Sequence, residues 1–150
     1  MGADDNISLL RRIYGDYAAT GSAGGLLESL TDDVSLTLTI PAGTPISGTF
    51  RGKEAVMGYF RTLREVVEQL TVEVHDYLAG EDKVVVLGAE SLRVRRTGEA
   101  FSTAWASVYS FRWDRIKSVL VIKDLSAVSK AYLDPDPPPS PHNPLSTPAG

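Results

Sequence analysis

The chain has 150 residues, 15 of them basic and 19 acidic, for a formal net charge of -4, with no cysteine and two histidines. That length suits one soluble globular domain whose core needs no disulfide or structural metal, and an ordinary structural zinc site would lack its ligands. The scattered Lys and Arg form no basic stripe for nucleic acid, no aliphatic run approaches a membrane span and no charged-then-apolar leader opens the chain, so the expected location is cytoplasmic.

In chain order, Ile7, Leu10, Ile13, Tyr14, Tyr17 and Ala18 recur at three- and four-residue intervals, the stripe of an amphipathic helix over 5–20. The run from Thr20 to Gly25 stops it, and a short helix through Leu26, Leu27 and Leu30 follows. Val34, Leu36, Leu38 and Ile40 alternate with Ser35, Thr37 and Thr39, which reads as a half-buried strand turned by Pro41 to Pro45. Ala55, Val56, Tyr59, Phe60, Leu63, Val66, Val67 and Leu70 predict the longest helix.

Four strands are expected next, over 71–78, 84–96, 100–113 and 116–124, joined by short turns into an antiparallel meander, with a last short helix over 125–133. Helices first and strands after them is the α+β pattern, helices on one face of a curved antiparallel sheet. Seven of the nine prolines fall in 134–150, so the folded domain is expected over 1–133 and a Pro-rich disordered tail over 134–150.

In the third meander strand, Phe101, Thr103, Trp105, Ser107, Tyr109, Phe111 and Trp113 share one face, and the opposite face is small. Such a face is either core beneath the helices or the wall of a pocket for an apolar ligand. On the last strand Ile122 and Asp124 share a period-two face with Ser118 and Leu120. Asp124 is then either the N-cap of the final helix or a partly buried carboxylate with the raised pKa that acid–base work near neutral pH requires. The hydroxyls of Tyr14 and Tyr17 either enter the same cavity or pack ordinarily. His75 is the one His of the body and reads as structural or surface; Glu90 lies within the second meander strand, and Arg93, Arg95 and Arg96 read as its solvated rim. Nucleophilic-serine, Walker and dinucleotide motifs are absent.

This order of elements resembles the SnoaL-like branch of the NTF2-like superfamily, which includes ketosteroid isomerase and limonene epoxide hydrolase. The carriers are Arg12-Ile13-Tyr14, Leu30-Thr31-Asp32-Asp33-Val34, Gly48 to Val56, Tyr59-Phe60, Val74-His75-Asp76 and Ile116 to Asp124. The resemblance implies a cone-shaped fold, its curved antiparallel sheet wrapped around the N-terminal helices and enclosing one pocket. It places Tyr14 where ketosteroid isomerase keeps its oxyanion-stabilising Tyr, and Leu38 or Ile40 where that enzyme keeps its base, so isomerisation of that type lacks its proton acceptor. Asp124 matches the acid–base Asp of SnoaL-like cyclases, and Ser107 stands where a partner His often occurs. The Arg and Asp arrangement of the epoxide hydrolase is not reproduced by Glu90 to Arg93.

The expected site therefore has Asp124 and Tyr14 as catalytic residues and Tyr17, Leu38, Ile40, Trp105, Ser107, Tyr109 and Ile122 against the substrate, with no metal and no cofactor. The implied ligand is an apolar, polyketide- or terpenoid-like small molecule, handled by a cofactor-independent isomerase, cyclase or lyase that pairs as a homodimer through the outer sheet face. The alternative is a non-catalytic ligand-binding or dimerisation module.

Overall fold

Alternation along three consecutive strands organises the molecule: every second residue turns inward beneath the helices and the residues between them turn outward. The structure, a computed structural model, describes residues 2–133, so the proline-rich segment expected to be a tail lies outside the described residues. The elements are α1 (Ala3–Thr20), α2 (Gly24–Glu28), β1 (Leu30–Leu38), β2 (Gly48–Arg51), α3 (Lys53–Val66), β3 (Val67–Ala79), β4 (Lys83–Val94), β5 (Ala100–Arg112), β6 (Arg115–Lys123) and α4 (Ser126–Leu133). The strands form one curved, unclosed six-stranded sheet in the order β2-β1-β6-β5-β4-β3. This is the expected α+β architecture with its meander of β3 to β6, and α1 and α3 cover the sheet.

The details depart from the periodicity at four points. The sheet is not wholly antiparallel, since β1 runs parallel to β6 and pairs Leu36 with Val119 and Leu38 with Val121. The expected helix through Leu70 ends at Val66, because the β-branched pair Val66-Val67 meets the ladder and Val67 pairs with Val94. The short β2 carries no strong alternation and forms only because β1 offers it an edge, from Ser35 opposite Arg51 to Leu38 opposite Gly48. Trp113, expected on the aromatic face of β5, sits in the β5–β6 turn at φ 59 with 85% of its surface exposed; a tight hairpin needs a positive φ, which swings the side chain off the sheet.

The core lies between the helices and the inner sheet face, with Leu10, Leu30, Val34, Val56, Val84, Val86 and Ile116 fully buried. Each such side chain contributes roughly 1.5–3 kcal/mol relative to exposure. Along β4 the inner residues are Val84, Val86, Gly88 and Glu90, opposite Tyr109, Ser107, Trp105 and Thr103 of β5. Along β6 they are Val119, Val121 and Lys123, opposite Tyr109, Ser107 and Trp105. In β3 an extra residue, Leu70, interrupts the register between Gln69 and Thr71. That bulge brings Gln69 and Val72, which differ in parity, onto the same wall.

Candidate active site

A cavity of about 130 Å³ opens between the inner sheet face and the three helices α1 to α3. Most of its wall is apolar, from Ile13, Leu26, Leu36, Phe60, Leu63 and Val121. Two polar clusters interrupt it, one neutral and one charged.

The neutral cluster joins α1 to β5. The stripe that makes α1 amphipathic aims Tyr14 at the sheet, where its hydroxyl meets that of Tyr109 at 2.6 Å. The Tyr14 ring stacks on Trp105 with centroids 5.8 Å apart and planes 15° from parallel, and meets Tyr77 and Tyr109 edge-on. Trp105 can lie this flat because its cross-strand neighbour is Gly88: a Cβ there would stand 2.4 Å from the indole and 2.2 Å from the Glu73 carbonyl. Burial pushes the Tyr14 phenol up to about 12, outweighing the hydrogen bonds from Tyr109 and Ser107 that favour its ionised form. Burial likewise holds Tyr109 well above an ordinary phenol. Both stay protonated through the physiological range, and because one O–H of the pair serves the other oxygen, one proton remains to donate.

The charged cluster joins β3, β4 and β6. Glu90 Oε2 accepts from Lys123 Nζ at 2.7 Å and Oε1 accepts from Gln69 Nε2 at 2.8 Å. The side chains of Lys123 and Glu90 keep only 10% and 4% of their surface exposed. Gln69 in turn accepts from the Tyr17 hydroxyl, and partial burial raises the Tyr17 phenol. Tyr14, Tyr17, Gln69 and Val72 also border a second cavity of about 300 Å³ between α1 and β3, so the Tyr17–Gln69 bond lies on the partition between the two spaces. Glu90 is the one carboxylate on the wall of the first cavity among the described residues, and among those residues no cluster of His, Asp and Glu has the makings of a metal site.

Five residues singled out from the sequence, Tyr14, Tyr17, Trp105, Ser107 and Tyr109, meet around this cavity. Four do not. Leu38 and Ile40 are buried in the core, but β1 borders the cavity only at Leu36. Ile122 is 44% exposed on the outer sheet face, because the register pairing Lys123 with Trp105 gives the inner face to the odd-numbered residues of β6. Asp124 does not face the cavity: it is exposed and caps α4, its Oδ1 accepting the Ser126 N–H at 2.9 Å. That hydrogen bond holds its carboxyl below the usual range, as the N-cap alternative implies and opposite to the raised value that the acid–base alternative requires.

Glu90, Gln69 and Lys123 were the residues that sequence reasoning missed as a site. A signal existed for two of them. Glu90 interrupts the apolar row Val84, Val86, Gly88, Leu92, Val94, a charge in the middle of a strand face that is otherwise buried, and Lys123 ends Val119, Val121, the same pattern of a charge closing an apolar strand face that drew attention to Asp124. Gln69 had none, since the spacing placed it in a helix through Leu70, whereas it lies on β3 two residues after Val67 and shares its inward face. His75 is exposed beside Glu73 and takes no part.

Residues 10–119 match the SnoaL-like domain family. No curated protein matches the chain. Among solved structures, an NTF2-like protein from Burkholderia xenovorans is similar with a TM-score of 0.74 and 24% identity, over 88% of this chain and 98% of that one. TerC co-crystallized with polyporic acid gives a TM-score of 0.71 at 18% identity, over 85% of this chain and 97% of that one. A protein from Mesorhizobium loti described as a SnoaL-like polyketide cyclase gives 0.64 at 20%, over 79% and 93%. At these identities the likeness to solved structures establishes the fold alone. No helix among the described residues is long and apolar enough to cross a membrane.

Proposed function

Given that the chain belongs to the SnoaL-like domain family, we propose that its cavity holds an apolar or aromatic metabolite with a carbonyl oxygen, of polyketide- or terpenoid-like build, and acts on it as a cofactor-independent isomerase or cyclase. The observation that carries this reading is the Tyr14–Tyr109 hydroxyl pair set against the Trp105 ring in a largely apolar cavity. A carbonyl oxygen seated at that pair receives a hydrogen bond that strengthens as negative charge develops on it, which is how preorganised donors lower a barrier. With Asp124 at the surface, the carboxylate available on the wall is Glu90. It removes a proton from the carbon beside the carbonyl, the C–H electron pair becomes the enolate π bond, and the proton returns at another carbon. In a cyclase the enolate carbon instead attacks a second carbonyl of the same molecule, whose C=O π pair becomes an alkoxide that takes back the proton held by Glu90. TerC, of similar fold, was co-crystallized with polyporic acid, which supports a small organic molecule as occupant.

A second reading, a non-catalytic binding module, is favoured by one observation: the Asp that matches the acid–base residue of SnoaL-like cyclases serves here as a helix cap. Native mass spectrometry of protein purified from its source should show a retained small molecule, and soaking that complex in D₂O separates the readings. An enzyme exchanges the hydrogens beside the carbonyl of its ligand for deuterium, and Tyr14→Phe slows the exchange by about 10²–10³-fold, the cost of losing one oxyanion donor. A ligand recovered without deuterium sinks the catalytic reading, and exchange undiminished in Tyr14→Phe removes Tyr14 from it. Pairing through the outer sheet face is part of the proposal, supported by the half-buried and exposed aliphatic row of Val85, Leu87, Val108, Leu120 and Ile122; light scattering that shows only monomer overturns it.

A further inference from the structure

Lys123 spends one of its three N–H donors, on Glu90, and the other two have no acceptor among the described residues. The Lys123 side chain stands nine-tenths buried on the cavity wall, where an unpaired donor is costly unless an oxygen is brought to it. The remaining question is which oxygen, and Glu90 answers it. Its second oxygen is tied to Gln69, and Gln69 to Tyr17, so the carboxylate cannot swing off Lys123 without breaking hydrogen bonds that reach across three strands and into α1. The pair is therefore already neutral when a ligand arrives. A carbonyl oxygen accepts from Lys123 and leaves that balance intact. A ligand carboxylate on the same nitrogen stands within a few ångströms of Glu90, two anions sharing one cation in a poorly solvated wall, a juxtaposition that like-charge repulsion disfavours.

We infer that the Glu90–Lys123 pair sets the specificity of the cavity, presenting Lys123 to a neutral carbonyl oxygen and turning away carboxylates of the same shape. The inference rests on the ligand-pocket reading above and deepens it. With one oxygen received at Tyr14 and Tyr109 and another at Lys123, the fitting ligand is an uncharged compound with an apolar body and two separated oxygen acceptors, as in a dicarbonyl or a quinone.

The test is isothermal titration calorimetry of the full chain at neutral pH with 2-acetonaphthone, a neutral ketone, and 2-naphthoate, an anion of nearly the same shape. The wild type should bind the ketone at least about tenfold tighter. In Glu90→Gln the ammonium loses its counter-charge, and naphthoate should gain about tenfold or more on the ketone. Should that variant fail to fold by circular dichroism, the double variant Glu90→Gln with Lys123→Met removes both charges together and should weaken the ketone by about fivefold to tenfold. Wild-type protein that binds naphthoate as tightly as the ketone overturns the inference alone. So does a ratio unchanged in Glu90→Gln, or a ketone affinity unchanged in the double variant. Wild type that binds neither compound overturns the pocket reading, and this inference with it.

Discussion

The two faces of β4, β5 and β6 are built from the same strands and carry opposite chemistry. Among the apolar core residues Val84, Val86, Leu92 and Val119, the inner face holds four polar groups, Glu90, Thr103, Ser107 and Lys123, nearly all shut away from water, together with Trp105 and Tyr109. The outer face holds small and aliphatic side chains, Val85, Leu87, Ala106, Val108, Leu120 and Ile122, and leaves several of them open to solvent. Both features carry a cost, because buried polar groups must be paired and exposed aliphatic groups lose their transfer free energy. The inner face meets that demand with hydrogen-bonded clusters that still leave donors on Lys123 and on the Tyr14–Tyr109 pair facing the cavity, which can therefore handle oxygen atoms. The outer face accepts exposure and gains a surface that can be covered. Lys123 and Asp124 condense the contrast into neighbouring residues: one is buried in an ion pair at the cavity, the other exposed as a helix cap.

The contrast can be broken most severely at Lys123. Lys123→Met strands the Glu90 carboxylate in the wall, and breaking a buried pair from one side costs about 3–5 kcal/mol, to be read from urea unfolding. An unchanged midpoint denies that the inner cluster is a buried pair at all. Next is pH. A phenol whose folded pKa lies near 12, against about 10 when unfolded, holds its proton more tightly in the native state, so its contribution is complete below pH 10 and falls as pH rises from about 10 to about 12. For Tyr14 the loss amounts to about 2–3 kcal/mol, with Tyr109 acting in the same direction. Urea midpoints near pH 9 and pH 11 measure it, and equal stability at both would remove the buried phenol pair.

At the surface end of β6 the effect shrinks. Asp124→Ala should cost about 1 kcal/mol through loss of the α4 cap, visible in thermal unfolding, with the affinity for 2-acetonaphthone unchanged. A variant that loses ligand would return Asp124 to the site. Smallest in the monomer is Ile122→Ser on the outer face, expected within about 0.5 kcal/mol because the side chain already meets water. If that face is covered in solution, the same substitution should shift light scattering toward the monomer.

The elements and the α+β class were legible because apolar spacing reports the period of helix and strand directly, and the aromatic row of β5 marked the wall that the structure puts at the cavity. Tyr14 and Tyr17 were legible for the same reason, lying on the stripe that α1 must bury. Elsewhere the signal was present but its sign was undetermined. In β6 both parities are apolar, Val119 and Val121 against Leu120 and Ile122, so alternation could not say which set turns inward, and choosing the even set made Asp124 a catalytic candidate and passed over Lys123.

What the chain determines by itself is local: where helices and strands run and which residues share a face. Tertiary structure decided which face is inside and which groups meet. The pairing of Lys123 with Trp105, of Glu90 with Thr103, and the extra residue at Leu70 set those outcomes. The physical reason is that side-chain direction in a strand has a period of two, so register against the neighbouring strands, a long-range property, decides whether a charge ends in water or in the wall of a cavity.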